Sequence, residues 1–159
     1  MPVEVMQASQ GFAQWIQLLE LLHAAFAYQS GRIDPPSSLH KLDAQSLAQK
    51  AGEETLFLAV EDGALVGCAF AKVNPSCVYV GKVAVWPDRQ GRGIGRLLMH
   101  AVEGFARGAG KPAMELDTRI ELVENHKTFA AFGFVKTAER SHAGYTRATF
   151  ITMQKALVP

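Results

Sequence analysis

The spacing of apolar side chains changes several times along this chain, and each change marks an element. Residues 3–8 read as a short first strand. Phe12, Trp15, Ile16, Leu18, Leu19, Leu22 and Phe26 then recur three and four apart, which predicts a strongly apolar helix ending near Gly31. Arg32-Ile33-Asp34-Pro35-Pro36-Ser37-Ser38 is a loop by its prolines, and Ser37 or Ser38 is placed to cap the next helix. Leu39, Leu42, Leu47 and Ala51 carry that second helix to about Gly52. Three strands follow. Residues 55–61 and 64–73 flank Asp62-Gly63, a pair suited to the left-handed turn of a tight hairpin. Asn74-Pro75-Ser76 turns the chain into residues 78–86. A loop over 87–95 opens a helix at 94–108, followed by a strand at 113–118, a helix at 125–132 and strands at 134–140 and 149–155. The order β-α-α-β-β-β-α-β-α-β-β predicts an α/β domain on a mixed sheet, and 159 residues suit one domain spanning 1–159.

Composition narrows the class. Hydrophobic residues make up 48% of the chain, too many for a disordered segment. No apolar run reaches the roughly 18 to 20 residues of a membrane span. Met1-Pro2-Val3-Glu4-Val5 has no basic region before an apolar stretch, so no secretion signal and a cytoplasmic location are expected. Cys68 and Cys77 lie in apolar strands without a CxxC pair or nearby histidines, so neither a disulfide framework nor a metal site is expected.

Net charge is +1 but unevenly placed. Residues 1–62 carry three basic and eight acidic side chains, whereas residues 82–111 carry six basic and two acidic ones. A local basic field suits a bound anion, and it is too narrow for a nucleic-acid-binding face.

That basic segment holds the sharpest local signal. Val83-Ala84-Val85-Trp86-Pro87-Asp88-Arg89 runs into Gln90-Gly91-Arg92-Gly93-Ile94-Gly95-Arg96-Leu97-Leu98, a strand feeding a glycine-rich turn that opens a helix. Glycines allow close backbone approach, and first-turn amides without intrahelical partners form an anion site with the helix dipole. Arg92 and Arg96 are placed to add contacts to a pyrophosphate. The segment is not a nucleoside-triphosphate P-loop, because Gly95 is followed by Arg96-Leu97 rather than Lys-Ser/Thr. Nor is it a dinucleotide fingerprint, because Arg96 occupies the last glycine position.

Gln90-Gly91-Arg92-Gly93-Ile94-Gly95 resembles the Q/R-x-x-G-x-G/A signature of the GNAT superfamily of N-acetyltransferases. Glu124-Asn125-His126-Lys127-Thr128-Phe129-Ala130-Ala131-Phe132-Gly133-Phe134 is similar to that family's E-N-x-x-L-Y-x-x-x-G-F. The resemblance implies a mixed, mostly antiparallel sheet of about seven strands with about four helices, splayed around a central parallel pair. It implies acetyl-CoA as co-substrate, with Val83, Ala84 and Val85 along pantetheine and Gln90, Gly91, Arg92, Gly93, Ile94, Gly95 and Arg96 around the pyrophosphate. Gly81 is the bulge position expected in that strand. Asn125 is expected to cap its helix and bond the pantetheine arm, beside Phe129.

Phe129 is a departure, because many relatives have there a Tyr that protonates the leaving thiolate. Tyr145 or a water is the substitute the sequence offers. The implied reaction is direct attack of a primary amine on the thioester, with main-chain amides near Val83 and Val85 stabilising the oxyanion. Glu115 and Asp117 share a strand face, and Glu115 is the candidate base. Arg32, Asp34 and His142 are candidates for acceptor binding, with Ser37 and Ser38 in the same wall. The expected partner is a small-molecule or peptide amine, not a nucleic acid or a membrane, and the apolar C-terminal strand suits a homodimer. A non-catalytic acyl-CoA-binding module is the alternative that Phe129 keeps open.

Overall fold

The structure, a computed structural model, describes residues 2–158. In chain order it contains β1 (Glu4–Gln7), α1 (Trp15–Phe26), α2 (Ala44–Glu53), β2 (Thr55–Glu61), β3 (Ala64–Val73), β4 (Val78–Val85), α3 (Ile94–Gly108), β5 (Ala113–Arg119), α4 (Val123–Ala131), β6 (Val135–Arg140) and β7 (Phe150–Ala156). The strands form one seven-stranded sheet ordered β1-β2-β3-β4-β5-β7-β6. Neighbouring pairs are antiparallel except β4–β5, which is parallel. The mixed, mostly antiparallel sheet around a central parallel pair is therefore present.

Alternation along the strands builds a core on each face. Leu56 and Leu58 of β2 and Cys68 and Phe70 of β3 pack with Leu18, Leu21 and Leu22 of α1 and Leu47 of α2. Phe57, Ala59, Ala69 and Ala71 face the other way, against Leu98, Met99 and Val102 of α3.

Two helices differ from expectation. The single helix expected at 39–52 is broken into a 3₁₀ turn at Ser38–Lys41 and α2, which begins at Ala44. Ser37 Oγ caps only the turn, accepting from Leu39 N at 3.1 Å. The cause is Asp43, whose Oδ1 accepts from Ser46 N at 2.8 Å while Ser46 Oγ accepts from Asp43 N at 2.9 Å. This reciprocal capping box satisfies two donors at once and fixes the start of α2 there. Asn125, expected as a cap, lies inside the first turn of α4, with its N–H donating to Leu122 O at 2.9 Å.

The feature that positions the site is a bulge in β4. Phe70 and Cys68 of β3 pair with Gly81 and Ala84 of β4, so β4 has one residue too many between them. Lys82 absorbs it with a left-handed φ of 51°. The bulge is thus not centred on Gly81, which stays paired with Phe70. The extra residue reverses the strand's facing: Val78 and Val80 join the α3 side, while Ala84, of the same parity, joins the α1 side. Beyond Val78↔Met114 and Tyr79↔Glu115, β4 and β5 no longer pair, and a gap opens between them.

Gly67 keeps α3 close to this end of the sheet. A Cβ there would lie 3.0 Å from Ala84 O, 3.0 Å from Leu98 Cδ1 and 3.2 Å from Ile94 Cγ2. Gly67→Ala is expected to destabilise the fold by about 1–3 kcal/mol through overpacking. The measurement is a denaturant midpoint at constant m-value; an unchanged midpoint would show that α3 yields without cost.

Candidate active site

The turn from β4 into α3 is shaped by two glycines. Gly91 and Gly93 have φ of 81° and 83°, and a Cβ on either would meet no protein atom within 4 Å. Their value is therefore conformational, since an L side chain resists that backbone. The first intrahelical bond of α3 runs from Leu97 N to Gly93 O at 3.1 Å. The N–H groups of Ile94, Gly95 and Arg96 precede that ladder and lie at the positive end of a 15-residue helix. Ile94 buries its side chain at 2% exposure, which anchors the turn while leaving its amide available.

The arginines of the turn are less available than the sequence suggested. Arg92 Nη2 lies 2.7 Å from Glu61 Oε2, and Arg89 Nε lies 2.8 Å from Glu61 Oε1. Arg92 first, and Arg89 second, hold the Glu61 carboxyl below its ordinary range. Arg96 places its guanidinium 5.2 Å from the Phe132 ring centroid. Thus Arg92 braces the loop against the end of β2, and an anion cradle at this turn would be made chiefly of main-chain N–H groups with Arg96 beside them. Gln90 is a second brace, its Nε2 donating to Val85 O at 3.2 Å.

Two clefts meet where β4 leaves β5. One, of about 420 Å³, runs past Val83, Ala84, Val85, Gln90 and Gly95 to Asn125 and Phe129. The other, of about 320 Å³, lies on the β5 side and is lined by Tyr79, Lys82, Asp117, Thr118 and Arg119, among others. Val83, Asn125 and Phe129 line both.

Several candidate residues lie elsewhere. Tyr145 lines neither cleft, and its hydroxyl donates to Asp34 Oδ1 at 2.7 Å, the bond that chiefly raises its own ionisation range. Asp34 is further bound to Arg147 at 2.9 Å. Arg32 makes a two-pronged pair with Glu124, at 2.8 and 2.9 Å. His142 is stapled to the buried Thr149, its N–H donating to Oγ1 at 2.8 Å and its ring Nδ1 lying 2.6 Å from the same oxygen. Burial lowers the range of this imidazole. Arg32, Asp34 and His142 therefore hold the walls of the site together instead of lining its clefts. Glu115 also stands apart, accepting from Gln154 Nε2 at 2.9 Å. Its neighbour on the same strand face, Asp117, is the carboxylate that lines the β5-side cleft.

One residue escaped sequence reasoning. Tyr28, in the 3₁₀ turn Ala27–Gln29 after α1, lines the first cleft. Its hydroxyl accepts from Asn125 Nδ2 at 3.0 Å and from Gln29 Nε2 at 3.3 Å. Both bonds use the oxygen as acceptor, so the phenolic proton is unspent. Arg32 stacks over the ring, 5.7 Å from its centroid.

The fold as a whole is shared with solved acetyltransferases. The PaiA N-acetyltransferase of Thermoplasma acidophilum in complex with coenzyme A superposes with a TM-score of 0.79 at 15% identity, over 99% of this chain and 100% of that one. That likeness shows the fold. The family model described as Acetyltransferase (GNAT) family matches residues 15–134, and the chain belongs to this family. It is 37% identical over 103 residues to an aminoglycoside N(6')-acetyltransferase type 1 of Stenotrophomonas maltophilia, across 58% of this chain and 66% of that relative. It is 33% identical over 121 residues to an IAA acetyltransferase of Azospirillum brasilense, across 75% of each chain.

Gly93→Val tests the cradle. Forcing an L side chain into the left-handed region is expected to cost about 1–2 kcal/mol of stability. Coenzyme A affinity, measured by calorimetry on the folded variant, should fall at least about tenfold. Unchanged affinity would mean that the turn does not hold the diphosphate.

Proposed function

We propose that the protein is an acetyl-CoA-dependent N-acetyltransferase in which a primary amine attacks the thioester directly. The observation that carries this reading is the junction of the two clefts at Val83, Asn125 and Phe129. A donor entering along Val85 and an acceptor entering along Asp117 would meet there. Such convergence supplies the proximity on which a two-substrate transfer depends. The glycine turn and first-turn amides of α3 fit a diphosphate, and the unpaired edge of β4 beyond Tyr79 fits pantetheine.

The side-chain roles follow from position. The neutral amine adds to the acetyl carbonyl, and main-chain N–H groups at the open edge near Val83 stabilise the oxyanion. Asp117, held by Tyr79 Oη at 2.9 Å and Thr152 Oγ1 at 2.7 Å, takes the amine proton directly or through water. On collapse the carbon–sulfur bond breaks, and the thiolate receives the proton of Tyr28. Asn125 orients that hydroxyl by donating to its oxygen. Phe129 contributes packing, with Phe134 at 6.2 Å between ring centroids.

Calorimetry with coenzyme A and acetyl-CoA, followed by thiol release across a panel of amines, tests the reading. Binding with amine-dependent thiol release is expected, whereas binding without release for any amine would favour the non-catalytic module. Tyr28→Phe should lower kcat by about 10²-fold while leaving coenzyme A affinity unchanged. Full turnover in that variant would remove Tyr28 from the mechanism.

A further inference from the structure

The β5-side cleft has a charge pattern that bears on the acceptor itself, given the transferase reading above. Lys50, Lys82 and Arg119 line it, and Asp117 is its carboxylate. Lys50 is already neutralised by Glu54 at 2.7 Å, and its ammonium stacks 5.1 Å from the Phe70 ring centroid. The other two cations have no carboxylate in contact among the described residues, although Glu121 and Asp34, both also paired with Arg147, act on Arg119 from farther off. Arg119 donates to the neutral carbonyls Pro35 O at 2.6 Å and Pro36 O at 3.3 Å, and among the described residues no carboxylate contacts it. Lys82, thrown into the cleft by the bulge, has no ion-pair partner among the described residues. Burial first, then Lys50 and Arg119, lower its range, and the opposing pull of Glu54 is the smallest contribution, the behaviour of a buried cation among like charges. Thr118 supplies a separate observation: its side chain is only 7% exposed, it lines the same cleft, and its Oγ1 has no hydrogen-bond partner. A buried hydroxyl left unpaired is costly unless a ligand satisfies it.

Among the side chains that line the cleft, two cations without a contacting carboxylate outnumber the one carboxylate, Asp117, an excess that suits a monoanion. We propose that the acceptor is a small amine bearing a carboxylate, held by Lys82, Arg119 and the Thr118 hydroxyl with its amino group turned toward Val83 and Asp117. With its amine unprotonated for attack, an amino acid carries the one negative charge this cleft lacks. A polycationic acceptor would instead bring further positive charge against Lys82 and Arg119, so the site differs in kind from one built for aminoglycosides.

The test begins with protein saturated in coenzyme A, and saturation is verified first by calorimetry; no uptake would overturn the transferase reading itself. N-acetylated amino acids and their C-terminal amides, which differ only in the carboxylate, are then titrated as product-side ligands. Turnover is measured in parallel with the common amino acids, their amides and an aminoglycoside. The carboxylates are expected to bind about 10- to 100-fold more tightly than the amides. Lys82→Met and Thr118→Val should each erase most of that preference without changing coenzyme A affinity. Thr118→Val removes an unpartnered hydroxyl at nearly constant shape, so it should fold at least as stably as the parent. Equal binding of acid and amide, no binding of any carboxylate, or preferred turnover of the amides or the aminoglycoside would each overturn the inference.

Discussion

One surplus residue in β4 governs the geometry of this molecule. Strands β3 and β4 cannot stay in register across Lys82, so the chain accepts a left-handed lysine, a conformation that disfavours an L side chain by about 1–2 kcal/mol. Neighbouring contacts hold it there. Cys68 is fully buried and donates its Sγ–H to Lys82 O at 3.4 Å. Burial pushes that thiol up to about 12, so it stays protonated and able to donate. Three consequences follow from the one bulge. The end of β4 loses its partner in β5, Val83 and Val85 turn toward the α3 side, and the lysine side chain is directed into the β5-side cleft. Strain at such a place is maintained because the surrounding structure over-determines it.

A second constraint closes the site from the side of the α1–α2 connection. Arg32 to Glu124, Asp34 to Tyr145 and Arg147, the Asp34 N–H to Glu121, and Arg119 to two proline carbonyls tie this loop to α4, β5 and the β6–β7 connection. Exposed ion pairs contribute little singly, on the order of 0–1 kcal/mol. Their joint effect is positional. They bring the end of α1 against α4, so that Tyr28 meets Asn125 across 97 residues of sequence. The proposed proton donor thus comes from a different element than the helix that carries Phe129.

How much of this the sequence disclosed depends on whether the cause was local. β2, β3 and α3 have the expected bounds because short-range signals end them: Asp62 and Gly63 adopt φ of 52° and 78° in the hairpin turn, and Gly93 opens α3. The second helix was misjudged because the spacing of Leu39 and Leu42 counted as periodicity, while the Asp43–Ser46 capping box outweighed it. Asn125 is marked by its motif, but its side chain bonds Tyr28 Oη and not its own helix end. Arg32, Asp34 and His142 were noticeable as polar residues in loops, and nothing local distinguishes a side chain that braces a cleft from one that lines it. Lys82 and Thr118 come together only where β4 and β5 part, and Tyr28 meets Asn125 only through the folded chain, so no spacing rule marks them.

The distribution of charge between the two clefts follows from the same economy of contacts. A dianionic diphosphate beside side-chain cations would attract any small anion to the same spot, and an anionic acceptor would compete with the coenzyme for it. Here Arg92 is paired with Glu61 and Arg89 with Glu61 and Asp88, so an anion at the loop would meet chiefly oriented amides, whose attraction is short-ranged and shape-dependent. Lys82 and Arg119, which have no carboxylate in contact among the described residues, line the cleft on the β5 side. At the glycine turn the cation without a carboxylate in contact is Arg96, held against the Phe132 ring, so the two clefts present different balances of dipole and point charge. The bulge also places Val83 at the boundary of the two clefts, where under the proposed reaction donor and acceptor would touch.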